Sequence, residues 1–260
     1  MTGIPLRDDP ARPPYKGRTL IERVVARIAF TPVAQLGVKD SEFAASFQEA
    51  IRRDYPLFEA AVDTFINVKF EGGSVSSAPE ELRKWLFRDI AAQWTVALTQ
   101  DALVLEGSRE GYSSWTDFVA RLNALVIALK STAGPSHVLR LGIRYINTAP
   151  AEGNDDPRLV CAQQLTSVTG NADVKLADLF WVMETNEGEL LLRSGVMPPA
   201  SSYDPAMFMQ RNQKTWYLDI DVINSDMIEF EPQAIEAQLR RQASRAHAIY
   251  YWAVPDGESA

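Results

Sequence analysis

The chain has 260 residues, 46% of them hydrophobic and 23% charged, with a net charge of −8 and a pI near 4.9. That length suffices for one large domain or two small ones, with a core that needs no metal or disulfide support. The acid excess disfavours nucleic acid as a partner, because phosphate binding draws on clustered Lys and Arg, and suits a basic protein partner or a small pocket-held ligand.

Residues 1–18 are rich in proline and charge and read as a mobile or extended arm. Pro13-Pro14-Tyr15 has the look of a recognition peptide, but a plain tail is the preferred reading. The start, MTGIPLRDDPARPPYKG, lacks an apolar core and so is not a secretory signal. Residues 22–33 are β-branched and apolar up to Pro32, which predicts a strand. Asp40 and Ser41 then offer N-caps to a helix carrying Phe43, Phe47, Ile51 and Tyr55, ended by Pro56. In 60–70, Val62, Thr64, Ile66, Val68 and Phe70 alternate with their neighbours as in a strand. EGGSVSSAPE, 71–80, reads as a loop. Residues 84–99 make one long strand or two, with Trp94, Val96 and Leu98 on one face. Gln100-Asp101 turns the chain into a further strand, ALVLEG. From Ser113 or Ser114 a capped helix bears Trp115, Phe118, Val119, Leu122, Leu125, Val126 and Leu129 on one stripe, and Gly134-Pro135 closes it.

The order then begins again. A strand at 137–147 is followed by a weak helical or extended stretch, 157–168, by strands at 178–184, 189–196 and 215–223, and by a long helix opening at Pro232. These features predict an α+β fold: a curved, mostly antiparallel sheet with long helices packed on one face. Strand, helix, strands and helix occur twice, which suggests a tandem pseudo-repeat with its junction near Gly134. The chain thus divides into an arm, 1–18, a first half, 19–134, and a second half, 135–255, packed as one globular unit.

HVLRLGIRYIN, 137–147, is the most informative segment. Alternation along a strand puts Leu139, Leu141, Ile143 and Tyr145 on one face and Arg140, Gly142 and Arg144 on the other. Guanidinium groups seldom lie in a sheet without a partner. The two arginines therefore predict either an internal pairing, with Asp219 and Asp221 of WYLDIDV as natural partners, or an anion clamp. The pairing is preferred. Asp219 and Asp221, with Asp226 and Glu229 nearby, are a weak signal for Mg²⁺ or Mn²⁺, and no glycine loop supports it. No metal and no cofactor is expected.

Other chemistry is thin. His137 and His247 are the only histidines, and HExxH, CxxC, GxSxG, GxGxxG and Walker patterns are all missing. Ser74, Ser76, Ser77, Ser201 and Ser202 sit in loop-like stretches and need no catalytic role. Cys161, the single cysteine, reads as core and points to a reducing compartment, most simply the cytoplasm. No apolar run reaches the ~20 residues of a membrane helix. Trp85, Phe87, Trp94, Tyr112, Trp115 and Phe118 read chiefly as core, with the Tyr112 hydroxyl directed outward or to backbone. The stretch 196–214 is long and carries Met197, Met207, Phe208 and Met209, so it is either an adaptable binding surface or a loop pinned by its own apolar residues.

WLFRD (85–89), WTVALTQDALVLEG (94–107), YSSWTDF (112–118), RLGIRYIN (140–147) and YLDIDV (217–222) together resemble a sporadically distributed bacterial family of uncharacterised proteins of about this length. The resemblance covers roughly 24–250 and rests mainly on RYIN and YxxWxxF. It implies no activity and no catalytic residue. The patchy occurrence of the family implies a mobile-element or defence context.

The reading that follows is a non-catalytic binding protein that recognises a protein partner. The candidate contact residues are Arg140, Arg144, Asn147, Tyr112, Asp219, Asp221, Met207 and Met209. The alternative is a small-molecule or nucleotide binder, possibly an enzyme, that takes an anionic ligand on an arginine-lined concave sheet.

Overall fold

In the computed structural model the described residues are 3–7, 19–71, 74–153, 156, 161–166, 169, 171 and 173–254. They form an open antiparallel sheet of ten strands, with four α-helices and one 3₁₀ turn. The strands are β1 (Ile21–Phe30), β2 (Leu57–Glu71), β3 (Ser74–Arg88), β4 (Trp94–Leu98), β5 (Ala102–Ser108), β6 (His137–Pro150), β7 (Ala177–Thr185), β8 (Gly188–Met197), β9 (Thr215–Asn224) and β10 (Ile228–Glu229). The helices are α1 (Glu42–Ile51), α2 (Trp115–Thr132), α3 (Gln163–Thr166) and α4 (Pro232–Ala253). Strand order is β2-β3-β4-β5-β1-β6-β9-β8-β7, with β10 paired to the start of β6. Among the described residues no helix is long and apolar enough to cross a membrane.

The chain forms two compact units. One comprises 27–139 and 227–234. Here α1 begins at Ser41, whose hydroxyl accepts from Ala44 N at 3.0 Å, and α2 begins at Ser114, which accepts from Asp117 N at 3.1 Å. The expected stripe of α2 is buried from Phe118 to Leu129, and Trp94, Val96 and Leu98 of β4 are buried as the alternation requires.

The expected loop at 71–80 is corrected. β2 and β3 pair without interruption from Leu57↔Arg88 to Glu71↔Ser74, so β3 already starts at Ser74, and only 72–73 lie outside the described residues. Serine, glycine and proline content pointed to a loop, but pairing with β2 overrides that weak local preference. Pro79 is tolerated because β3 meets β4 only over Trp85–Arg88, so among the described residues it has no second neighbour at Pro79.

The other unit comprises 1–26, 140–226 and 235–260. Its described core lies between the β6–β9–β8 sheet and α4. Trp216, Leu218, Ile220 and Val222 are buried. Gln242 of α4 donates to two strand carbonyls, Leu141 O at 2.8 Å and Val222 O at 3.0 Å, which fixes the helix on that face. Of the expected N-terminal arm, residues 3–7 are described: Pro5 is buried and its carbonyl accepts from Arg245 of α4. Residues 1–2 and 8–18, including Pro13-Pro14-Tyr15, lie outside the described residues, as do 157–160 and 167–168 of the weak stretch before β7.

Candidate functional site

The face of β6–β9–β8–β7 opposite α4 carries the polar residues. Registers Arg144↔Asp221, Ile146↔Asp219 and Arg193↔Asp219 put Arg144, Asp219, Asp221 and Arg193 on this one face. Arg144 lies directly across from Asp221, yet its guanidinium reaches diagonally to Asp219. Nε donates to Asp219 Oδ1 at 2.9 Å and Nη2 to Oδ2 at 2.7 Å, a two-pronged contact. Long side chains span such diagonal neighbours across a sheet. Asp219 is only 4% exposed. Burial opposes the charge on Arg144, but the hydrogen bonds and charge of Asp219 outweigh it and hold the guanidinium more firmly protonated than usual.

A second pair stands beside the first. Arg193 of β8 binds Asp178 of β7 through two nitrogens, one of them Nε at 2.6 Å. This contact, helped by the Tyr217 hydroxyl donating to Asp178 at 2.7 Å, holds the Asp178 carboxyl below the usual carboxylate range although burial opposes it. Gly195 makes the Tyr217 contact possible. A β-carbon there would fall 1.9 Å from Ala177 O and 2.8 Å from the Tyr217 hydroxyl, so any other residue forces the strands apart.

The segment 198–214, between β8 and β9, is fastened onto this face. Tyr203 stacks on Tyr217 with ring centroids 4.5 Å apart, donates its hydroxyl to Asp219 at 2.9 Å, and takes the Arg193 guanidinium over its ring at 4.3 Å. Burial first, then the charge of Asp219, raises the Tyr203 hydroxyl above its ordinary value. Asp204 adds a 3.3 Å contact to Arg144, and Phe208 is buried with Ile146, Met197 and Tyr217. Ser202 Oγ accepts from Asp204 N and donates to Phe208 O, so it is a turn residue.

The expected site residues therefore separate. Arg144 and Asp219 meet. Arg140 is exposed and acts on Asp221 through charge alone. Asn147 is fully buried and donates to Leu218 O at 3.1 Å, so it is a sheet residue. Met207 is half-buried against the Phe208 cluster, whereas Met209 is exposed. Tyr112 belongs to the other unit, where its ring packs edge-on to Phe118 at 6.0 Å. His247 tilts against Tyr145 at 5.3 Å, and burial lowers its pKa. Cys161 is half-buried, and burial, with the charge of Asp156, pushes its thiol up to about 12. Sequence reasoning missed Tyr203, Asp204, Asp178 and Arg193. The only local signal was Tyr203-Asp204 inside the long segment, and the Asp178/Arg193 pairing needed the β7–β8 register.

Asp221 stands apart. Burial raises its carboxyl to about 7, with Asp219 and Glu189 adding to the shift and Arg144 and Arg140 opposing it. An unfolded aspartate titrates near ~3.9. The native state thus holds a proton that the unfolded chain has lost. The stability this brings is full below about pH 4 and disappears as pH rises to about 7. Asp221→Asn should flatten that slope and stabilise the protein above about pH 7 by roughly 2–4 kcal/mol. Urea titrations across the range measure it, and an unchanged slope refutes the assignment.

No protein-family model matches the chain, and none of the curated proteins matches it.

Proposed function

We propose that this chain is a non-catalytic binding protein that recognises a protein partner through β7 and the part of the polar face that the segment 198–214 leaves uncovered. The carrying observation is on β7, the outermost strand of that end of the sheet. Phe180 and Val182 are 57% and 55% exposed, and register puts them beside Arg193 and Leu191. An exposed aromatic and aliphatic pair next to ordered Arg and Tyr side chains has the composition of a protein contact. The internal pairing of Arg144 with Asp219 removes one of the two cations an anion clamp would use. The finer architecture that goes with this reading is the tandem pseudo-repeat, a curved sheet with its long helices on one face. The order β1-α1-β2 to β5-α2, then β6-α3-β7 to β9-α4, supports it. Membership of the sporadic bacterial family suggested by RYIN and YxxWxxF belongs to the same proposal.

Co-expression with the products of flanking genes, followed by size-exclusion chromatography at micromolar concentration, tests the reading. The expected result is a shifted complex that Phe180→Lys with Val182→Lys weakens at least about tenfold, or ~1.4 kcal/mol, without changing the melting temperature. A lone, unshifted peak counts against it. A thermal shift with nucleotides or organic acids that Arg140→Ala abolishes would favour the small anionic ligand instead, for which the exposed Arg140 beside Asp221 is the supporting observation.

A further inference from the structure

β7 is the last strand of its unit's sheet, and its outer side is open. Among the described residues β8 is its only neighbouring strand. A two-residue turn, Asn186-Glu187, joins Thr185 to Gly188. The residues flanking such a turn form a hydrogen-bonded pair, and bonded pairs alternate along an antiparallel ladder. The N–H and C=O groups of Leu179, Trp181 and Met183 therefore face β8, and those of Asp178, Phe180, Val182 and Glu184 turn outward. None of these outward groups finds a partner among the described residues. Leu179 to Met183 is an unbroken apolar run without proline or lysine, and Leu176, Phe180 and Val182 are each more than half exposed. Edges are normally blunted by charge, proline or a bulge, and a bare apolar one is a template for a further strand.

Charge indicates what that strand is. Glu184 of β7 stands directly opposite Glu189 of β8, a like-charge pair that a sheet disfavours. Both are exposed, and among the described residues the only cation bound to them is Arg7, 3.3 Å from Glu184. Asp178, at the other end of the apolar run, is already held by Arg193. Positive charge is therefore short at the Glu184 end of the edge. Resting on the protein-partner reading above, we propose that the partner adds an extended segment to the outer edge of β7: an apolar strand with a basic residue at the end that meets Glu184 and Glu189. Ladder bonds to the outward groups of Phe180 and Val182 supply affinity, and the side chains of Phe180, Val182 and Glu184 select the sequence. A second copy of β7 fits poorly. Full overlap, centred on Trp181, sets Asp178 of each copy against Glu184 of the other, acid against acid at both ends.

The test uses the full chain and a fluorescein-labelled peptide, Arg-Thr-Val-Thr-Val-Thr-Val-Thr, whose arginine reaches Glu184 in an antiparallel pairing. Anisotropy should show binding at roughly 10–100 µM, at least about tenfold tighter than for the same peptide with glutamate in place of arginine. Glu184→Lys with Glu189→Lys should reverse that preference. N-methylation of one alternate set of the peptide's amides should abolish binding, and of the other set should not, because only one set faces β7. Val182→Pro should abolish binding, whereas Val182→Thr should weaken it at most about threefold, since only proline removes the outward N–H and neither change touches the β7–β8 ladder. Circular dichroism confirms that each variant folds. No binding at roughly 1 mM, or binding indifferent to the position of N-methylation, overturns the proposal. So does a wild-type homodimer in sedimentation velocity that Val182→Pro dissolves, which assigns the edge to self-pairing. With the product of a flanking gene, a complex that survives Val182→Pro overturns the strand addition and leaves the protein-partner reading standing, and a lone peak removes both.

Discussion

Arg144→Ala should lower the unfolding free energy by about 3–5 kcal/mol, measured by urea denaturation. The variant leaves the Asp219 carboxylate without its cation in a site where it is almost wholly covered and where Tyr203 would be its main remaining donor. Arg144→Lys should recover only part of the loss, because an ammonium cannot make the two-pronged contact seen at 2.9 and 2.7 Å. Arg144→Leu combined with Asp219→Leu should recover most of it, since exchanging both members for apolar groups removes the stranded charge. A solvent-exposed pair would give ~0–1 kcal/mol, and a loss that small would show that the pairing is incidental. The same variant should speed proteolysis within 198–214, because Asp204 loses its contact with Arg144.

Arg245→Met should cost a comparable amount, again about 3–5 kcal/mol. Arg245 is fully buried in α4, with Nε donating to Glu187 at 2.6 Å and Nη2 at 3.2 Å, and it also donates to Pro5 O. Methionine fills much of the volume but leaves the buried Glu187 carboxylate without its cation. Adding Glu187→Gln should return part of the stability. Hydrogen exchange over residues 3–7 should rise in Arg245→Met, since Pro5 loses its anchor while Asn186 still donates to Arg7 O at 2.9 Å. A change below ~1 kcal/mol, with unchanged exchange, would contradict this role.

These two arginines differ in how far the sequence foretold them. Arg144 was visible because strand alternation isolates it with Arg140 on one face of HVLRLGIRYIN, and because WYLDIDV supplies acids at the same period. Arg245 gave a fainter sign. It lies on the apolar stripe of α4 with Gln238, Gln242 and Ile249, a place where a charge needs a partner. That partner, Glu187, sits in the hairpin between β7 and β8, and no local pattern points to it. Tyr203 is the extreme case. Its segment has no periodicity, and only the folded chain brings its ring over Tyr217 and its hydroxyl to Asp219.

The sequence alone determined most of the strands and the three longer helices, narrowed the caps of α1 and α2 to Asp40 or Ser41 and to Ser113 or Ser114, and marked the buried stripe of α2. Each follows from spacing or from the chemistry of a few neighbouring residues, and such information is local. The tertiary structure decided that 74–80 is strand, that Arg144 takes Asp219 and not the facing Asp221, and that 198–214 is pinned by Tyr203 and Phe208. It also decided which edges stay open. Pairing and register join residues far apart in the chain, and their energy comes from which groups end up opposite one another once the backbone is in place.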